Sequence, residues 1–369
     1  MDLLKGEIMK ILHCADLHLD SKMETNLTAE QAKRRRYEIL ETFETMVDYA
    51  VDHDITLILI AGDMFDTAQT KQKTIKSRVL DKIRNTKELD FLYLQGNHDK
   101  DDFFKNLEDK PQNLKMFQKE WSHYSYGNIV ISGIEFGNKM NGDIYSELLL
   151  NEMNYNIVAL HGQIAKYGND TNAEIISLDA LQNKYIDYLA LGHIHEYRYE
   201  KLDYRGNYCY PGCLEGRGFD ECGVKGFVVL DTENAKEPLT FISLAKRTFH
   251  EVKIDVSKAS TTDEIVRSVE YEIQGIPEKD IVKIVLCGVC KENAEIDKTY
   301  IEHKFQNRFF FVKLKDQTTM FIDYAKYEKD ISLKGEFVRK VKKLDLSETE
   351  KSKIIKMGIN AILGKGMIE

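Results

Sequence analysis

Six short apolar runs punctuate the first 200 residues: Ile11–Ala15, Thr56–Ala61, Phe91–Gln95, Asn128–Gly133, Asn156–Leu160 and Tyr185–Leu191. Runs of this length, bounded by polar and turn residues, predict buried strands. Between the first two, Ile39, Leu40, Phe43, Met46, Val47 and Ala50 recur at helical spacing and predict a helix over 29–53. A second helix is predicted over 71–86. Strands alternating with helices predict an α/β fold with a layered core.

After Tyr204 the pattern changes. Asn207–Tyr210, Gly226–Leu230, Leu239–Leu244 and Thr248–Val256 read as strands with no helix between them, which predicts antiparallel pairs finishing the sheet. A helix over 262–274, a strand over 283–288 and the run Arg308–Lys313 then suggest a small α+β unit. From about Ser332 the chain is helical and basic. Ser347-Glu-Thr-Glu350 has capping-box form and precedes the apolar stripe Ile354, Ile355, Ile359, Ile362 and Leu363. That stripe either folds back on its own domain or docks a partner. The expected organisation is a main domain over 1–247, a small capping domain over 248–328 and a helical tail over 329–369.

Composition narrows the class. The chain has 369 residues, 43% of them hydrophobic and 31% charged, as in an ordinary globular protein. No apolar run approaches the roughly 18–20 residues of a membrane span, and no signal pattern opens the chain, so a cytoplasmic location is expected. Met9 opens a lysine-led strand and reads as the natural start, with residues 1–8 an extension. The net charge of −9 argues against a nucleic-acid coat protein, though a nuclease can create local attraction at its site. Six cysteines are expected as free thiols. Cys287 and Cys290 form half a zinc clip with no second half, in an apolar setting that favours a strand.

Five of the strands end in polar clusters: Asp16-Leu17-His18, Gly62-Asp63, Gly96-Asn97-His98-Asp99, His161-Gly162 and Gly192-His193-Ile194-His195. Sites in α/β sheets form beyond the carboxyl ends of strands, so these clusters are expected to converge. Asp, His and Asn supply the mixed oxygen and nitrogen ligands that suit Mn²⁺, Fe²⁺ or Zn²⁺. Seven such ligands exceed the need of one ion and suit a pair. The two histidines of Gly192–His195 lie one residue apart, and on an extended backbone they point to the same side.

The ordered set "ILHCADLHLDS", "LILIAGDMFDT", "LQGNHDK", a lone His-Gly and "ALGHIH", followed by "YPGCLEGRGFDECGVKGFVVLD", resembles the calcineurin-like metallophosphoesterase superfamily and, within it, the SbcD-type DNA-repair exonucleases. The resemblance covers roughly residues 9–250. It implies two packed mixed sheets flanked by helices and a metal-dependent nuclease, exo- or endonucleolytic, acting by a two-metal mechanism. It also implies two divalent metal ions, Mn²⁺ foremost. DNA as substrate, an SbcC-type ATPase subunit as partner and a homodimer follow from the same resemblance, with no membrane involved.

Carried over by position, the resemblance implies that Asp16, His18, Asp63 and His195 hold one metal. Asp63 then bridges to a second, which also takes Asn97, His161 and His193. His98 faces the scissile phosphate as general acid, and Asp99 holds its ring. Some relatives carry a histidine where this chain has Asp66, and Cys213 stands where Ser or Asn often follows the "YPG" turn. The competing reading is a phosphatase or small-molecule phosphodiesterase on the same fold. Protein phosphatases of the superfamily read GDxxDRG and GNHE, whereas this chain reads GDMFDT and GNHD. Two basic groups, Lys33-Arg34-Arg35-Arg36 and Lys71, Lys73, Lys76 and Arg78, read either as DNA-steering or as solvated helix faces. Histidines 13, 53, 123, 250 and 303 match no cluster and are expected to be structural.

Overall fold

Leu57–Ala61 is buried at all five positions, and the reason is that both faces of its sheet are covered. The computed structural model describes residues 9–23, 27–66, 73–99, 104, 107–135, 144–165, 174–234, 238–290 and 296–362. The chain divides into two compact units, Met1–Thr248 and Phe249–Glu369. Residues 1–8, and the first lysine of the second basic group, Lys71, fall outside the described residues, as does Leu363 of the tail stripe.

The first unit runs β1 (Lys10–Cys14), α1 (Ala29–Asp52), β2 (Leu57–Ala61), α2 (Lys73–Asn85), β3 (Asp90–Leu94), β4 (Leu114–Met116), β5 (Ser122–Tyr126) and β6 (Ile129–Gly133). It continues with α3 (Ile144–Glu147), β7 (Tyr155–His161), β8 (Gln163–Ile164), β9 (Ile175–Ile176), α4 (Leu178–Leu181) and β10 (Tyr188–Gly192). The last strands are β11 (Arg198–Lys201), β12 (Asn207–Tyr210), β13 (Phe227–Asp231) and β14 (Leu239–Ile242). Two six-stranded mixed sheets result, ordered β14-β13-β1-β2-β3-β4 and β11-β12-β10-β7-β6-β5.

The pleat sorts the apolar side chains into three layers. Leu57 and Leu59 of β2 join Leu92 and Leu94 of β3 in a cluster with Ile129, Ile131, Ile157, Ala159 and Ala190 of the other sheet. Their neighbours Ile58 and Ile60 point the opposite way and pack with Phe43, Met46 and Val47 of α1. Val158, Leu160, Leu189 and Leu191 form the outer layer of the second sheet. Burying each such side chain stabilises by roughly 1.5–3 kcal/mol. Helix α1 starts where Thr28 and Gln31 cap each other reciprocally, at 3.2 and 3.0 Å.

β1, β2 and β3 are mutually parallel, as are β7 and β10. Parallel strands bring their carboxyl ends to one edge of the sheet, and every polar cluster follows such an end.

The second unit holds β15 (Phe249–Asp255), α5 (Thr262–Ile273), β16 (Ile281–Cys287), β17 (Val289–Cys290), α6 (Lys298–Phe305), β18 (Phe311–Asp316) and β19 (Thr319–Met320). Helices α7 (Tyr324–Tyr327), α8 (Leu333–Lys342) and α9 (Glu348–Ile362) complete it. One expectation fails here. The Thr248–Val256 segment does not finish the first unit's sheet as an antiparallel strand; as β15 it pairs in parallel with β16, which pairs in parallel with β18. The intervening α5 and α6 supply the crossovers that parallel pairing requires. In the tail, Ile355 and Ile359 are buried with Tyr327, Val338 and Val341, and Ser352 exchanges hydrogen bonds with the Met320 backbone. The expected capping box forms between Ser347 and Glu350.

Candidate metal centre

The residues after β1, β2 and β10 adopt a backbone that few side chains tolerate. Asp16, His18, Asp63 and His193 all have positive φ, at 52°, 44°, 54° and 101°. Such conformations cost about 1–3 kcal/mol each and persist only where the surroundings over-determine them. Here the loops after β1 and β2 are stitched together: Asp16 N–H donates to the Gly62 carbonyl, and His18 N–H donates to that of Asp63, each at 3.0 Å. Gly62 itself sits at φ 97°, and a Cβ there would lie 2.0 Å from His161 Nδ1. The glycine is what lets that imidazole reach the site.

Asp16, His18 and His195 form one donor group, their ligand atoms all within 4.8 Å of one another. His18 Nε2 and His195 Nε2 face each other at 3.3 Å. His195 Nδ1–H donates to Glu221 at 2.7 Å, so its Nε2 carries the lone pair. Arg217 Nη2 lies 3.2 Å from the same Nδ1, but the shorter Glu221 bond claims the ring proton and leaves the guanidinium as a packing contact. Burial works against charge on His195, yet its hydrogen bond to Glu221 and the charge of Asp16 hold its pKa above the ordinary value. Burial lowers that of His18.

Asp63, Asn97, His161 and His193 form the other group. His161 Nδ1–H donates to the Ala61 carbonyl at 2.8 Å, which aims Nε2 at two oxygens, Asn97 Oδ1 at 2.9 Å and Asp63 Oδ2 at 3.3 Å. His193 Nδ1 is 3.3 Å from the same Asn97 oxygen. Asp63 Oδ2 also lies 4.0 Å from His18 Nε2, so this carboxylate touches both groups. Asp16 shares donor geometry with both as well, in a group with Asp63 and His161. Burial opposes charge on both Asp63 and His161. Their mutual attraction outweighs it, holding Asp63 well below the usual carboxylate range and raising His161 to about 10.

A nitrogen lone pair aimed at two oxygens, and two imidazole nitrogens aimed at each other, are repulsive arrangements unless a proton or cation lies between them. The donor set of carboxylates, imidazoles and an amide oxygen fits divalent cations of the Mn²⁺, Fe²⁺ or Zn²⁺ kind. Five of the seven residues sit in groups of facing donor atoms, Asn97 joins through His161, and His193 joins through Asn97. The adjacent histidines divide, His195 to the first group and His193 to the second.

His98 stands at the mouth with its side chain 48% exposed. Its N–H donates to Asp63 Oδ1 at 2.9 Å, and its ring centroid is 5.3 Å from that of His18. The expectation for Asp99 is not met. Its buried carboxylate accepts from the N–H groups of Met64, Phe65 and Gly96 rather than from the His98 ring. Its role is to hold the loops after β2 and β3 together. Burial and the charge of Asp63 raise its pKa to about 7. The carboxylate beside His98 is Asp66, 3.7 Å from Nδ1.

A sequence profile described as calcineurin-like phosphoesterase matches residues 9–197. The chain belongs to the calcineurin-like phosphoesterase family. Membership points to metal-dependent phosphoester hydrolysis, and the two sandwiched mixed sheets agree with that fold. The chain is 24% identical over 300 residues to an uncharacterized metallophosphoesterase, YhaO, of Bacillus subtilis, covering 77% of this chain and 73% of the relative. It is 23% identical over 337 residues to the DNA double-strand break repair protein Mre11 of Sulfolobus acidocaldarius, covering 84% and 85% respectively. The Mre11 protein of Sulfurisphaera tokodaii is 28% identical over 206 residues, 53% of this chain and 51% of that one.

The phosphoesterase match contains all seven candidate ligands and His98, and stops short of residues that the sequence reading missed. Glu221 holds His195, as above. Arg217 joins Glu221 at 2.7 Å and Asp66 at 3.3 Å. Lys225 donates to the His195 carbonyl at 2.8 Å, and the buried Cys213 sulfur lies 3.7 Å from it. Glu221 and Arg217 lie on a glycine-rich loop inside the stretch that follows the "YPG" turn, with no regular spacing to any candidate ligand that would mark them as part of the site.

The first basic group divides. Arg35 is fully buried, neither steering DNA nor solvated. Its guanidinium pairs with Glu38 and Glu215, each at 2.8 Å, and with the Gly216 carbonyl. Arg34 pairs with Glu38, and Arg36 donates to the Lys22 carbonyl. In the second group, Arg78 pairs with Glu44, and the buried Lys76 lies over the Phe65 ring at 5.2 Å. The remaining histidines include His13, bonded to the Tyr188 hydroxyl, His123 to Ser132 and His250 to Asp280, all structural contacts.

Proposed function

We propose that this phosphoesterase is a DNA nuclease that hydrolyses phosphodiester bonds with two divalent cations. The observation that carries the reading is the division of His193 and His195 between two donor groups joined by Asp63. DNA as substrate is supported by the likeness to Mre11, a DNA double-strand break repair protein, over 84% of the chain.

In this reading Asp16, His18, Asp63 and His195 hold one cation, and Asp63, Asn97, His161 and His193 hold the other. Two cations so placed would polarise a phosphoryl oxygen and make water a nucleophile at neutral pH. His98, exposed at the mouth, delivers a proton to the departing oxygen. The resident ions are Mn²⁺ in this proposal. The helical tail over 329–369 serves as the docking element for an SbcC-type ATPase, and the chain works as a homodimer in the cytoplasm.

The test uses purified protein and Mn²⁺ with labelled single- and double-stranded DNA, a cyclic dinucleotide and a phosphopeptide. The reading expects DNA cleavage that EDTA abolishes. Hydrolysis of the phosphopeptide or the cyclic dinucleotide with DNA left intact overturns it in favour of a phosphatase or small-molecule phosphodiesterase.

A further inference from the structure

A guanidinium closes a ring of contacts behind one of the two donor groups. Arg217 meets Asp66 through Nη1 at 3.3 Å and Glu221 through Nη2 at 2.7 Å and Nε at 3.1 Å. Asp66 stands 2.7 Å from His18 Nδ1, an ion-pair contact rather than an aligned hydrogen bond. Glu221 stands 2.7 Å from His195 Nδ1. The opposite nitrogens of the two imidazoles, both Nε2, are the pair facing each other at 3.3 Å. The path from Arg217 therefore runs through Asp66 and His18 to the facing nitrogens, and returns through His195 and Glu221.

The second donor group is held differently. His161 is oriented by the Ala61 carbonyl, and His193 N–H donates to both oxygens of Asp16 at 3.0 Å. Neither imidazole contacts Arg217, Asp66 or Glu221 within hydrogen-bonding distance.

We propose that Arg217 is a positioning residue for the cation site of Asp16, His18 and His195, and for that site alone. The proposal rests on the two-metal reading above. Carboxylates behind metal-binding imidazoles fix the ring orientation and raise its basicity, and losing such partners typically costs 10–100-fold in metal affinity. Here two carboxylates converge on one spot and would repel each other. The Arg217 side chain, only 20% exposed, lies between them and holds both in place with a planar fork that a lysine cannot reproduce. Behind it, the buried pairing of Arg35 with Glu215 and with the Gly216 carbonyl anchors the two residues immediately before Arg217.

Isothermal titration of the full chain with Mn²⁺ tests this, with circular dichroism confirming that each variant is folded. The wild type is expected to bind two ions. Arg217→Ala should weaken one of them about 10–100-fold and leave the other unchanged. Arg217→Lys, which keeps the charge, should weaken the same ion less. In a His161→Ala background, which leaves the site of Asp16, His18 and His195, the Arg217→Ala loss should persist; in a His18→Ala background it should vanish. Unchanged affinity at both sites in Arg217→Ala, or equal weakening of both, overturns the proposal. Should Arg217→Ala fail to fold, Asp66→Asn and Glu221→Gln must each weaken that same ion, and an unaltered titration in both rejects the ring. A wild type that binds no Mn²⁺ rejects the two-metal reading itself, and the proposal with it.

Discussion

His18 Nε2 and His195 Nε2 face each other at 3.3 Å, although 177 residues separate them in the chain. One comes from the loop after β1 and the other from the loop after β10, strands of different sheets. Their convergence makes the edge of the sandwich a chemical site, and substitutions there should separate metal binding from turnover.

His98→Ala removes a side chain that contacts no other candidate ligand through its ring at bonding distance. Both ions should remain, counted by metal analysis after dialysis, while turnover on labelled DNA falls about 10²–10⁴-fold, the usual loss for a general acid. Near-normal turnover would remove His98 from the reaction.

Asp63→Ala has the opposite signature. Its carboxylate touches His161 on one side and His18 on the other. Occupancy of both ions should fall together, and full occupancy of either at equal Mn²⁺ would deny it the bridging role.

Gly62→Ala places a methyl where His161 Nδ1 now stands and does so at φ 97°. The ring must leave the Ala61 carbonyl. Thermal melts should show a loss of roughly 1–3 kcal/mol from the backbone alone. Titration should show the ion of Asn97, His161 and His193 weakened while the other persists.

Acid stability reports on the network behind the metal loop. Glu38 accepts from Arg35, Arg247 and Arg34, at distances between 2.6 and 3.0 Å. Burial would raise its pKa, but the three arginines hold it down at about 2, against an ordinary 4.5. A depressed carboxylate binds its proton more readily when unfolded, so it adds stability above about pH 4.5 and loses it as pH falls toward 2. The share is roughly 3 kcal/mol by linkage. Denaturant melts of Glu38→Gln should show a deficit of about 3–5 kcal/mol at pH 7 that narrows with acid. A deficit independent of pH would contradict the assignment.

The strands and the candidate ligands were legible because each depends on local sequence. A strand buried on both faces is a continuous apolar run, and a candidate ligand at its carboxyl end comes just after that run, as Asp63 follows Leu57–Ala61 with one glycine between. Pairing partners leave no such trace, which is why Thr248–Val256 read as antiparallel and folds as the parallel β15. Arg35 looked like surface charge because the acid that buries it, Glu215, lies 180 residues away. The resemblance implies that Asp99 holds the His98 ring, whereas its carboxylate turns to the backbone of Met64 and Phe65. Arg217 and Glu221 act through contacts across the fold, and residue spacing carries no sign of them.

The central claim is that His193 and His195 serve different ions. A crystal structure of the protein grown with Mn²⁺, with anomalous differences collected near the manganese edge, reads this directly. Two anomalous peaks are expected, one bound by His195 with Asp16 and His18, the other by His193 with Asn97 and His161, and Asp63 contacting both. A single peak ligated by His193 and His195 together would contradict the account.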